Sequence, residues 1–176
     1  TMEYSSLSFL RDHGVEDVPG TVCLDETSDF ALYEFVDGLK VPSSEVGDSD
    51  IDQATDFLLR LDQAKTAPAA AGIQPASEAC FSIFSHLNRV KKRVARLNQI
   101  NSSGPIQEDV LAFVQSSLVT SLEKITNDIT EQYSDEKLQQ ILPFKSRIIS
   151  PSDFGFQNTL IESNTLFFLD FEYAGW

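Results

Sequence analysis

The spacing of apolar positions along the chain changes period several times, and each change marks a different kind of element. From Glu3 to His13, Tyr4, Leu7 and Leu10 recur at helical spacing, and Gly14 is placed to end that helix. Val18-Pro19 breaks away into extended chain. Thr21–Leu24 and Phe30–Val36 then read as two short strands joined by a turn over Glu26–Asp29, and Asp37-Gly38 closes the second strand. Helical spacing returns over Ser49–Lys65, where Ser49 and Asp52 form a cap-like start and Ile51, Ala54, Leu58 and Leu61 share one face. Ala67–Pro75, rich in Ala, Pro and Gly, reads as a loop.

A further helix is expected from about Ser77 to Asn98, with Cys80, Ile83, Leu87, Val90, Val94 and Leu97 on its stripe. Ser102-Ser103-Gly104-Pro105 punctuates the chain. A long helix over Gln107–Gln132 follows, then a short one over Asp135–Leu142 that stops at Pro143. The tail returns to strand chemistry. Thr159–Ile161 and Thr165–Leu169 flank Glu162-Ser163-Asn164, a turn-rich triplet suited to a hairpin. The order of helix, strands, helices and hairpin predicts an α+β fold, and no internal repeat is visible.

Composition narrows the function classes. An apolar fraction of 41% with 13 Phe supplies a core, which argues against disorder. No stretch approaches the ~20 uninterrupted apolar residues of a membrane helix, and no signal peptide opens the sequence. Cys23 and Cys80 lie far apart without a metal-ligand pattern, so buried free thiols in a reducing, cytoplasmic setting are expected. The formal charge of −14 argues against nucleic acid as a partner, since displacing counterions from phosphates needs a positive surface. It tilts a small-molecule partner toward a cationic one. Arg89, Lys91, Lys92, Arg93 and Arg96 form the one basic island, spread over the polar side of a helix as a solvated face.

Candidate chemistry gathers at the edges of the terminal hairpin. Asp153 and Asn158 lie in the loop that precedes its first strand; Asp170 and Glu172 follow its second. A hairpin returns the chain to its starting end, so Asp170 should come close to the Asp153–Asn158 loop. Two carboxylates and a carboxamide around one space suit phosphoryl transfer from a nucleotide. Magnesium takes oxygen ligands and keeps phosphate oxygens in its shell. Asn158 and Asp170 would be its protein ligands, and Asp153 would orient an acceptor hydroxyl and take its proton. The same residue types also cap strand ends as ordinary turn residues.

The segment Ser150-Pro-Ser-Asp153-Phe-Gly-Phe-Gln-Asn158 resembles the catalytic loop of the aminoglycoside phosphotransferase and choline kinase-like family, which shares the protein-kinase fold. Phe-Leu-Asp170-Phe-Glu-Tyr-Ala-Gly-Trp176 is similar to that family's metal-binding segment. Ala31-Leu-Tyr-Glu-Phe-Val-Asp-Gly38 resembles its hinge strand, and the opening helix its small-lobe helix. The resemblance implies a partial small lobe and hinge over residues 1–38, then a mainly helical large lobe over 39–176 that carries the catalytic hairpin. It implies ATP or another nucleoside triphosphate with Mg2+ as cofactors, and a small-molecule hydroxyl as acceptor. Glu34, Phe35 and Val36 would meet the adenine, and Glu3 would pair with a lysine outside this chain. Glu172 is a candidate for substrate positioning or for support of the metal site.

The sequence also departs from the family. Pro151 stands where the family's loop carries histidine, and His13 and His86 lie in helices away from it. No glycine-rich loop and no lysine-bearing strand precede Glu3, and the chain stops directly after the metal-like segment. A fragment is therefore expected, truncated at both ends, with the lysine strand roughly 15–30 residues upstream. Two readings follow: a small-molecule O-phosphotransferase in its complete form, or a kinase-like binding module without turnover.

Overall fold

A computed structural model describes residues 2–100 and 104–176. The fold is α+β, about 51% helical, with two small antiparallel sheets. By packing, the chain divides into two compact units, one of Thr1–Ala79 with Ile148–Trp176 and the other of Cys80–Arg147. The sequence-based division at residues 38 and 39 is one by lobe; the packing units part instead at 79/80 and 147/148.

The first unit opens with α1 (Met2–Asp12), which buries Ser6, Leu7, Phe9 and Leu10. Its end follows from Gly14, whose φ of +81° lets Gly14 N–H reach Arg11 O and Val15 N–H reach Leu10 O, the paired bonds of a Schellman stop. Strands β1 (Thr21–Asp25) and β2 (Phe30–Tyr33) form the first sheet, antiparallel. The second strand ends three residues before the expected Val36. A two-residue strand that periodicity did not reveal, β3 (Leu39–Lys40), pairs with β4 (Thr159–Glu162), which in turn pairs with β5 (Thr165–Phe168). The β4–β5 connection is tight. Ser163 and Asn164 both have positive φ (49° and 66°), the signature of a type I′ turn, and Glu162 pairs across to Thr165.

Helix α2 (Asp48–Ala64) packs on β5 and starts earlier than the sequence indicated. Gly47, not Ser49, is the capping position, and the Asp50 carboxylate accepts from Gly47 N–H at 2.9 Å. Phe57 of α2, fully buried, is the centre of the core. Its ring stacks on Phe168 at 4.1 Å and on Phe154 at 5.8 Å, and meets Phe171 edge-on at 6.4 Å. The loop Ala67–Pro75 contains a 3-10 segment over Pro68–Gly72.

In the second unit α3 (Ile83–Leu97) begins later than Ser77. Ser82 and Ser85 cap it reciprocally, each side-chain oxygen accepting the other's N–H at 3.1 Å. Of the expected basic face, Lys91, Lys92, Arg93 and Arg96 are exposed and Arg89 is half-buried. The expected long helix is a run of α4 (Pro105–Phe113), a π turn at Val114–Leu118 and α5 (Val119–Gln132). Ser102 and Ser103 of the punctuation before it lie outside the described residues. Helix α6 (Asp135–Gln139) stops short of Leu142, whose N–H donates to Phe81 O.

One further expectation is corrected. Neither thiol is buried: Cys23 is exposed and Cys80 half-buried, because β1 presents Cys23 on a sheet too small to cover it. Among the described residues, no helix is long and apolar enough to cross a membrane.

Candidate functional site

The hairpin and the aromatic cluster beneath it set the positions of the polar residues. Phe154 directly follows Asp153, Phe171 directly follows Asp170, and both rings turn inward against Phe57. Burying these neighbours leaves the adjacent carboxylates outward, and Asp153 and Asp170 are both exposed. Asp170 has φ of +67°, a left-handed conformation that aspartate tolerates better than most residues. It turns the chain sharply out of β5. One residue earlier, Leu169 N–H donates to Asn158 O at 2.8 Å, which locks the end of the hairpin to the start of β4.

Asn158 is the hub. Its Nδ2 donates to Asp153 O at 3.0 Å, to Asp153 Oδ2 at 3.2 Å and, at the 3.5 Å limit, to Asp170 Oδ2. The structure therefore brings together the three residues that spacing had placed around one point. Gln157, which the sequence did not single out, adds a weaker contact from Nε2 to Asp153 Oδ1 at 3.4 Å.

Glu3 reaches the same region from α1. Its Oε1 accepts from Phe171 N–H at 3.3 Å and its Oε2 from the Tyr33 hydroxyl at 3.2 Å, so one carboxylate spans β2 and the segment after Asp170. Glu172 is exposed. It hydrogen-bonds the Tyr173 phenol, and that bond, with the carboxylate's charge, raises the phenol's pKa above its ordinary value.

Glu34, Phe35 and Val36, expected to meet an adenine, sit apart from this cluster in character. Glu34 N–H already donates to Gly20 O at 2.8 Å, and its carboxylate lies 3.7 Å from Arg11 Nη2. Phe35 is 89% exposed, so its ring is free of the core. A cleft of about 560 Å³ runs beside Glu34, Phe35 and Val36 and is lined also by Val18, Arg60 and Phe167; Asp153, Asn158 and Asp170 do not line it. Asp17, at the edge of that cleft, is buried and held by both Arg60 guanidinium nitrogens, with Arg60 Nη1 at 2.9 Å from Oδ1. Its carbonyl accepts from Phe168 N–H at 2.9 Å.

Among the described residues no group of three or more His, Cys, Asp or Glu side chains is arranged to enclose a metal. Asn158 with Asp170 is a smaller donor set, one carboxylate and one carboxamide. That set fits magnesium, which takes one or two protein oxygens and fills its shell with water and phosphate. The Asn158 amide presents its donor to the carboxylates here, and turning over about the last bond exchanges nitrogen for oxygen.

Two features of the site had no signal in the sequence. The two hydrogen bonds that the Glu3 carboxylate accepts come from Tyr33 and Phe171, which lie 30 and 168 residues away. Ser152, with φ of +70°, donates from Oγ to Tyr173 O at 2.7 Å. No protein-family model matches the chain, and no curated protein matches its sequence.

Proposed function

We propose that the protein is an ATP-dependent phosphotransferase of the aminoglycoside phosphotransferase-like kind, acting on a hydroxyl of a small molecule. The observation that carries this reading is the Asn158 amide, 3.2 Å from the Asp153 carboxylate and 3.5 Å from that of Asp170. Asp153 and Asp170 flank the same open end of one hairpin and meet at one amide, a cluster of oxygen donors of the kind that phosphoryl transfer uses. An α+β fold with a hairpin under a helix is compatible with a protein-kinase-like arrangement, which the reading also requires.

Asp153 would accept a hydrogen bond from the acceptor hydroxyl, orient its oxygen toward the γ-phosphorus and receive its proton as the new P–O bond forms. The bond from that phosphorus to the β,γ-bridging oxygen breaks, and the nucleoside diphosphate leaves with its electron pair. Asn158 and Asp170 would hold Mg2+, which when bound neutralises phosphate charge. Asn158 also fixes the Asp153 backbone through its 3.0 Å bond to the carbonyl, and so sets the angle from which the carboxylate works. The backbone at Phe35 and Val36 would meet the adenine, since the Glu34 N–H is engaged within the fold. Glu3 would brace Phe171, and with it Asp170, whether or not a lysine joins it.

The acidic balance favours a cationic hydroxyl compound as acceptor. A reducing cytoplasmic setting agrees with two free cysteines, one of them exposed. The second reading, a nucleotide-binding module without turnover, is favoured by Pro151, which can make no side-chain hydrogen bond in the catalytic-type loop.

The test is nucleotide-dependent phosphorylation by the complete protein across a panel of hydroxylated metabolites. Asp153→Asn should abolish turnover, by about a thousandfold or more, while leaving the thermal midpoint within a few degrees. Unchanged turnover in that variant would sink the mechanism. Nucleotide binding without product from any hydroxyl would favour the binding module.

A further inference from the structure

The loop that ends in Asp153 is tied to the segment after Asp170 by backbone and side chain together. Ser150 N–H donates to Gly175 O at 2.8 Å and Gly175 N–H returns to Ser150 O at 3.0 Å, an isolated antiparallel bridge. Two residues on, Ser152 N–H donates to Ser150 Oγ at 3.0 Å, while Ser152 Oγ donates to Tyr173 O at 2.7 Å. The same carbonyl also accepts from Ser77 N–H at 3.3 Å.

Ser152 holds a φ of +70°, a region where glycine is at ease and serine is strained. Glycine would be the easier residue for the turn itself; the hydroxyl is what serine adds. Pro151 beside it is buried and has no donor of its own, so the Ser152 hydroxyl supplies a side-chain bond from this stretch to the metal-like segment, in addition to that of Asn158 Nδ2 to Asp170 Oδ2. That bond joins the residue before Asp153 to the third residue after Asp170.

We propose that Ser152 is a positioning residue for phosphoryl transfer. Through Oγ and Tyr173 O it fixes the distance between the backbone carrying Asp153 and the backbone carrying Asp170. This rests on the phosphotransfer reading of the site. A displacement of about 1 Å between a catalytic base and the group it serves costs on the order of a hundredfold in rate. Losing one of several ties should cost less, on the order of tenfold. The loss belongs in kcat, because the hydroxyl is bonded within the chain and the tie orients groups for the reaction rather than adding contacts to bound substrate.

The experiment compares Ser152→Gly, which keeps the left-handed backbone, with Ser152→Ala, which keeps a side chain without the hydroxyl. Each is measured in the complete protein for kcat, KM and amide hydrogen exchange at Ser150 and Gly175. Both variants should lower kcat about tenfold with each KM within about twofold, and both should speed exchange of the two amides. Unchanged kcat in either variant, or a raised KM at constant kcat, would overturn the positioning role. So would a fall in kcat with exchange unaltered, since the tie would then not be the route. If the wild-type protein turns over no acceptor while still showing the exchange difference, the clasp stands as structure and the phosphotransfer reading fails, taking the positioning role with it.

Discussion

At the scale of single residues, the outcome depends on which polar groups find partners across the chain. Asp17 and Arg60 illustrate it. Their side chains are 10% and 37% exposed, and they meet although 43 residues separate them. Arg60→Ala would leave a nearly buried carboxylate without its cation, a loss of about 2–3 kcal/mol that urea unfolding would read as a lower midpoint at constant slope. At Tyr173 the direction is also fixed. The hydrogen bond to Glu172 and the negative charge of that carboxylate both disfavour the phenolate, so the phenol's pKa lies above its ordinary value. Glu172→Gln should bring the pKa back down, and ultraviolet titration of the tyrosines should show one group ionising at lower pH. An unchanged titration would place Glu172 elsewhere. Asp153, Asn158 and Asp170 were legible because each flanks a strand and a hairpin closes on itself. Arg60, Ser152 and the bridging role of Glu3 were not, because nothing local in a sequence encodes a partner tens of residues away.

Among the elements, the hairpin and α2 do most to place the site. The apolar run before Asp170, the turn triplet and the helical stripe of α2 were all readable, since each has a period that burial imposes. What periodicity could not supply was β3, only two residues long, and the π turn, which leaves the helical spacing nearly intact. Helix α3 starts later, after the reciprocal cap of Ser82 and Ser85, and the chain before it is tied to the terminal segment through Ala76 N–H to Trp176 O and Ser77 N–H to Tyr173 O. Phe57 is the residue on which α2, β5 and the catalytic-type loop converge. Phe57→Ala should cost about 3–5 kcal/mol and loosen Phe154 and Phe171 together. Gly175 is a second fixed point. A Cβ there would lie 2.4 Å from Gln74 O and 2.6 Å from Ala76 N, both backbone atoms that cannot swing away. Gly175→Ala should therefore lose about 2 kcal/mol or more by calorimetry; a neutral result would mean that residues 74–76 yield easily.

For the molecule as a whole, composition had indicated a folded chain with a core, and the α+β class follows from the element order. The core is nonetheless concentrated. In the unit of residues 1–79 and 148–176 the buried aromatic cluster lies under the candidate site, whereas α4 and α5 of the other unit bury no described residue. Which surfaces these helices and the exposed Phe30 and Leu32 face was not legible in the sequence, since an apolar stripe specifies burial and not the partner. The proximity of Asp153, Asn158 and Asp170 was more legible than the surroundings, because residues that flank the open end of a hairpin must meet. The central claim, that Asn158 and Asp170 hold a nucleotide's magnesium beside Asp153, is tested most directly by the thermal shift that ATP produces with and without Mg2+. At a hundredfold excess over the dissociation constant, binding stabilises by about 2.7 kcal/mol, or roughly 5–10 °C for a chain of this size. The complete protein should show that shift only when Mg2+ is present, and Asp170→Ala should lose it; equal shifts in both proteins would contradict the claim.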